Sequence, residues 1–216
     1  MRTICLSLFV IVGLLMLGWA SPSRAQDCNQ DCAKAAHSKA KAVTGVKAMS
    51  TTTTDAVRDE FNESSGKVRI VALLSPSCPG CQSGHAVLGR VLKKFSSPEL
   101  QAMLIWEPMR SDDSPAAATQ QAEKVRDTRI WQGWNGNKNV GDLFGKTLDL
   151  HATAWDVYLL YKPGIKWEGQ DPPRPTFWMH QLAGVDPKLL LCADPTRLSV
   201  EVEKLLDQGR EASHGN

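Results

Sequence analysis

The sequence predicts an α/β fold: a mixed central β-sheet flanked by helices. Three observations carry this expectation. Residues 68–74 (VRIVALL) form a nearly continuous apolar, β-branched run, the pattern of a strand covered on both faces. Residues 81–95 follow with Val87, Leu88, Val91, Leu92 and Phe95 at three- and four-residue steps, which describes an amphipathic helix. Beyond them, strand-like and helix-like segments alternate to the end of the chain.

Taken in order, residues 26–54 are rich in Ala, Lys, Ser and Thr and lack aromatics, so they read as a tail or spacer. Residues 55–62 suit a short helix, with Val57 and Phe61 on one face, and Ser64-Ser65-Gly66 is a turn. The first strand, 68–74, and the helix 81–95 follow. Residues 102–106 read as a second strand closed by Glu107-Pro108. Residues 115–125 suit a helix capped by Ser114, with Pro115 at its first position. The Trp-, Asn- and Gly-rich stretch 129–141 reads as a loop, and 140–148 as a short helix. A third strand, 157–161, turns through Lys162-Pro163-Gly164 into Ile165-Lys166-Trp167. Three prolines in 171–175 preclude central sheet pairing there. Residues 177–182 are a fourth strand, and 195–206 a terminal helix with Asp194 as N-cap. No internal repeat is evident.

The 216 residues carry 25 basic and 23 acidic side chains, a formal charge of +2. That balance gives no electrostatic footprint for nucleic acid. A basic start (Met1-Arg2-Thr3), an apolar run from Ile4 to Leu17, and Ser23 and Ala25 at −3 and −1 describe a signal peptide cleaved after Ala25. Cleavage would remove Arg2, Arg24 and Cys5, leaving a neutral chain with Cys28, Cys32, Cys78, Cys81 and Cys192. The expected organisation is a signal peptide at 1–25, a tail with a short helix at 26–66, one α/β domain at 67–208 and a C-terminal tail at 209–216. Export implies a periplasmic or otherwise extracytoplasmic setting where disulfides persist. Membrane association is expected only if the N-terminal segment is retained.

Cys78-Pro79-Gly80-Cys81 lies between the best strand and the best helix. Two intervening residues let the sulfurs meet in a short disulfide-bonded ring. The helix start presents unsatisfied N–H groups and the positive end of the dipole, which favour a thiolate on Cys78. Cys78 is therefore the expected nucleophile, exposed, and Cys81, in the first helical turn, the resolving thiol. A structural zinc pair is disfavoured because no second Cys-x-x-Cys or His pair stands at ligand spacing. The dithiol carries two electrons by itself, so no organic cofactor is expected.

These residues resemble the thioredoxin superfamily, and more closely its exported thioredoxin-like members. The resemblance rests on strand 68–74, Cys78-Pro79-Gly80-Cys81, helix 81–95, the hairpin around 157–167 and the terminal helix. It implies a thioredoxin-like fold and thiol–disulfide exchange with protein partners. There are departures. The family's usual Trp before the first Cys is Ser77 here, and its buried acid six residues earlier is Ala72. Another group must then help deprotonate Cys81, and His85 and Glu107 are the candidates. The family's cis-proline opens the strand facing the motif. If that strand is 157–161, Trp155-Asp156 occupies the position and no proline is present. If it is 177–182, Arg174-Pro175-Thr176 matches and Pro175 is cis. Trp155 would face the motif only in the first placement.

Cys28 and Cys32 are a candidate second redox pair, or a soft-metal clamp with His37, or a small structural disulfide. Cys192 reads as a buried thiol behaving as a small hydrophobe, with pairing to the N-terminal tail as the alternative. The leading expectation is an extracytoplasmic thiol–disulfide oxidoreductase, of unassigned direction, working on protein thiols or disulfides. The alternative is a thioredoxin-fold protein carrying a soft metal such as Cu(I) on the same thiols.

Overall fold

The structure, a computed structural model, describes residues 49–214. The predicted signal segment, Cys28, Cys32 and His37 lie outside the described residues. Helix α1 (Thr54–Glu63) is capped by Thr53, whose hydroxyl accepts from the Ala56 N–H. β1 (Val68–Leu74) is followed by α2 (Pro79–Lys94), β2 (Leu100–Trp106), α3 (Pro115–Ala122), β3 (Ile130–Trp134) and α4 (Asn139–Thr147). β4 (Val157–Tyr161), β5 (Phe177–His180) and α5 (Arg197–His214) complete the fold, with one 3-10 turn at Pro187–Leu189.

The five strands lie in the order β3-β2-β1-β4-β5. β1–β2 and β2–β3 are parallel, whereas β1–β4 and β4–β5 are antiparallel. This is a thioredoxin-like α/β fold. β1 occupies the centre and every one of its residues is buried, which explains its continuous apolar run. Alternate side chains of β1 feed two cores. Ile70, Ala72 and Leu74 pack with Leu88 and Val91 of α2 and Leu198 and Val202 of α5. Val71 and Leu73 pack on the other face with Val57 and Phe61 of α1 and Val140 and Phe144 of α4. Helix α1, placed by sequence within the segment 26–66, is thus built into the second core.

Arg69 interrupts the apolar run because it ties three elements together. Its guanidinium donates to the carbonyls of Phe61 (2.9 Å), Lys162 (3.2 Å) and Ile165 (2.8 Å), and lies 4.2 Å from the Phe61 ring centroid.

Three expectations need correction. Residues 209–214, expected in a C-terminal tail, continue helix α5. The stretch 129–141 is not all loop, because residues 130–134 form β3 at the sheet edge. Its outer edge is covered by the chain at 50–52: Thr52 N–H donates to the Trp134 carbonyl (2.8 Å), and Trp134 N–H to Ser50 (3.1 Å). Gly133 is required there, since a Cβ would stand 2.7 Å from a Thr52 carbon. Residues 165–167 do not pair with β4; β5 does, with Leu159 opposite Trp178. Trp167 instead packs into the second core, 5.7 Å from the Phe144 ring.

Candidate redox site

β1 ends at Leu74, and the turn Ser75-Pro76-Ser77 delivers Cys78 to the N-cap of α2, with Pro79 at the first helical position. A polar clamp holds this turn. Asp113 accepts from the Ser75 hydroxyl (2.7 Å), the Ser77 N–H (2.9 Å) and the Arg110 N–H (2.8 Å). Ser77 Oγ in turn donates to Asp112 (2.7 Å) and accepts from Arg110 Nε (3.1 Å). Ser77 therefore joins the motif to the loop after β2, a role that a Trp at this position could not fill.

Cys78 and Cys81 are both in the thiol form and buried, at 3% and 0% exposure, so the expectation of an exposed Cys78 is corrected: the N-cap position packs it against the first core. The Ser75 N–H donates to Cys81 Sγ at 3.3 Å. Facing the pair is Asp156, which stands immediately before β4 with φ of 54°. Ligand atoms of Cys78, Cys81 and Asp156 all lie within 4.8 Å of one another. The Asp156 N–H donates to the Leu73 carbonyl at 2.7 Å, pinning it against the end of β1. Its carboxylate accepts from Tyr158 Oη (2.9 Å), from Gln181 Nε2 (3.0 Å) and from the Cys81 thiol. Gln181 Nε2 also donates to the Gly80 carbonyl (2.6 Å), linking the end of β5 to the first turn of α2.

Burial, then the charge on Cys78, push the Asp156 carboxyl up to about 7, against the pull of its hydrogen bonds. Cys81 is pushed well above the ordinary thiol range, first by burial, then by its hydrogen bond to Cys78 and the charges of Asp156 and Cys78. A buried thiol thus lies beside a buried carboxyl, each held toward its protonated form by burial.

The position of Asp156 decides between the two strand placements. The strand beside the motif is β4, so Trp155-Asp156 stands where the family's proline would. No peptide bond among the described residues is cis, so the expectation of a cis Pro175 is wrong. Pro175 instead precedes Thr176, whose N–H donates to Leu160 as β5 begins. Trp155 is half-buried against the same core as the cysteines.

The two sequence candidates for proton transfer lie elsewhere. His85 does follow Cys81 by one turn, but that turn carries it over β2, on the side of β1 away from β4. Its ring meets Trp106 edge-on at 5.3 Å, its Nε2 has no hydrogen-bond partner, and burial, then Lys124, push it down to about 4. Glu107 follows Trp106 and so faces the opposite side of the sheet. There it accepts from the Gly141 N–H at the start of α4 (2.8 Å), and burial pushes it up to about 8.

Tyr158 and Gln181 were not singled out by sequence. For Tyr158 a signal existed, because Asp-x-Tyr places both side chains on one face of a strand. Tyr158 pairs with Ala72 across β1–β4, so the small residue at the family's acid position lies opposite the tyrosine that supports the new acid. Gln181 left no signal. Cys192 is half-buried and disulfide-bonded, which overturns its reading as a buried thiol.

Fold and site together define a thioredoxin-like protein with a Cys-Pro-Gly-Cys pair. No protein-family model matches the chain, and no curated protein does. Among solved structures, it is similar to DsbF from MTB, at 18% identity over 68% of this chain and 84% of that one (TM-score 0.41). It is also similar to a secreted Mycobacterium tuberculosis disulfide oxidoreductase homologous to E. coli DsbE, at 15% identity over 66% and 85% (TM-score 0.40). Copper-bound yeast Sco1 matches at 18% identity over 65% and 80% (TM-score 0.42).

Proposed function

We propose that this protein is an extracytoplasmic thiol–disulfide oxidoreductase exchanging disulfides with protein partners. The observation that carries it is the meeting of Cys78, Cys81 and Asp156 at the N-terminus of α2. The Cys78 thiolate, favoured by the unsatisfied N–H groups of the first turn, attacks one sulfur of a partner disulfide. A Cys78–partner disulfide forms, and the partner's other sulfur leaves as a thiolate. Asp156 then takes the Cys81 proton, and the Cys81 thiolate attacks Cys78. The Cys78–Cys81 disulfide closes, and the partner departs reduced. Run backwards, the same steps oxidise a partner dithiol, with Asp156 returning the proton to Cys81. The signal-like N-terminus supports export.

Trapping tests this reading. Cys81→Ser should accumulate a mixed disulfide through Cys78, and Cys78→Ser should not. A Cys78–Cys81 potential below about −300 mV would class the pair with inert structural disulfides and overturn the proposal.

The same three buried ligand atoms favour a second reading, a carrier of a thiophilic metal ion held by two thiolates and a carboxylate. It requires stoichiometric binding of Zn(II) or Cu(I) to the dithiol form, lost in Cys78→Ser, together with poor disulfide exchange.

A further inference from the structure

We infer that the groove along α2, which opens beside the redox motif, docks an acidic segment of the protein partner. That these carboxylates flank a reacting cysteine rests on the thiol–disulfide reading; the docking itself does not.

The groove is a cleft of about 480 Å³ between one face of α2 and the segment 124–127 that follows α3. It starts at Gln82, the residue after Cys81, whose side chain donates to the Pro76 carbonyl of the motif turn (2.9 Å). It runs to Lys93, about 16 Å along the helix at 1.5 Å per residue. That length matches about five residues of extended peptide. Its floor is apolar, and Gly89 lets it form: a Cβ there would stand 2.9 Å from a Val125 methyl.

The walls are basic. Arg90, Lys93, Lys124 and Arg126 line the groove and are exposed, and none of them pairs with a carboxylate among the described residues. Among the described residues, unpaired cations also stand singly elsewhere, at Lys162, Lys166 and Lys188, but the groove gathers four of them on one lining. The one carboxylate lining the groove, Asp127, is committed to Arg129 at 2.7 Å. Glu123 lies in the adjoining depression. Four spaced cations over an apolar floor complement an extended chain with several carboxylates better than a single small anion. The formal charge of +2 on the whole chain argues against a nucleic-acid or membrane surface.

The test is fluorescence anisotropy on the full chain, with a labelled cysteine-free decapeptide containing five Glu and its Gln counterpart. The Glu peptide should bind about tenfold more tightly at low salt, and the preference should fade as salt screens it. Lys93→Glu with Lys124→Glu should abolish the preference. Lys166→Glu, exposed beyond β4, should leave it intact. Equal binding of the two peptides overturns the inference. So does an equal loss in Lys166→Glu, or tighter binding of a labelled oligonucleotide or of anionic vesicles through the same lysines. Exchange with neutral hydroxyethyl disulfide is measured alongside. If the wild type binds the Glu peptide but fails that exchange, the redox reading falls and the docking surface stands.

Discussion

Asp156 is the residue on which the proposed chemistry turns. Its carboxyl, raised to about 7, can take the Cys81 proton at neutral pH without being permanently ionised beside a thiolate. Asp156→Asn keeps the shape and can still accept from Tyr158 and Gln181, but it cannot take the proton. Resolution of the mixed disulfide should slow by about 100-fold, and the titration near pH 7 should vanish from the rate profile. Single-turnover exchange with a model disulfide, followed from pH 5 to 9, checks this. His85→Ala should leave that profile in place, because His85 faces Trp106 and not the cysteines. Sequence singled out His85 by helical spacing alone. That spacing is a true statement about one helix and says nothing about which strand the helix face meets.

The contact between α2 and β4 is where two elements make the site. Gly84 lets Tyr158 reach beneath the helix: a Cβ on Gly84 would stand 1.7 Å from Tyr158 Oη. Gly84→Ala must therefore displace the tyrosine from Asp156. Overpacking of this kind costs about 1–3 kcal/mol, and loss of the tyrosine hydrogen bond should also slow exchange. Urea unfolding and exchange rate, measured together, check both effects. The strand–turn–helix unit from 68 to 94 was legible because its signals are local: a buried β-branched run, a Pro-led helix start and a 3.6-residue repeat. β3 was not legible. Its Ile-Trp-Gln-Gly-Trp sequence carries no alternation, and its strand character comes from pairing with β2 and from cover by Thr51 and Thr52.

At the scale of the molecule, buried ionisable groups couple stability to pH. Asp156 and Glu107 have folded values raised to about 7 and about 8. Their stabilising contribution is complete below the ordinary carboxyl range and is lost as pH rises through those values. His85 is depressed to about 4, so its contribution is present above its ordinary value near 6.5 and is lost as pH falls toward 4. Between pH 6.5 and 8 the two acids outweigh the depressed histidines His85 and His180, and stability should fall by about 2 kcal/mol. Glu107→Gln should remove much of that fall, as read from urea midpoints at the two pH values. Arg69 binds the two halves of the chain by another route. Arg69→Leu strips the donor from three carbonyls spread over α1 and the loop after β4. A loss of about 3 kcal/mol is expected, measurable by the same unfolding curves.

The sequence by itself determined the redox pair and its setting, because a Cys-x-x-Cys spacing, a buried strand and a helix start are all written within some thirty consecutive residues. It also located the two candidate starts of the facing strand. Only the tertiary structure chose between them, and with that choice set Asp156, rather than His85 or Glu107, against the two cysteines. The physical reason is the antiparallel seat of β4 beside β1. It brings residue 156 against the start of α2 from far along the chain, and no local pattern encodes that distance.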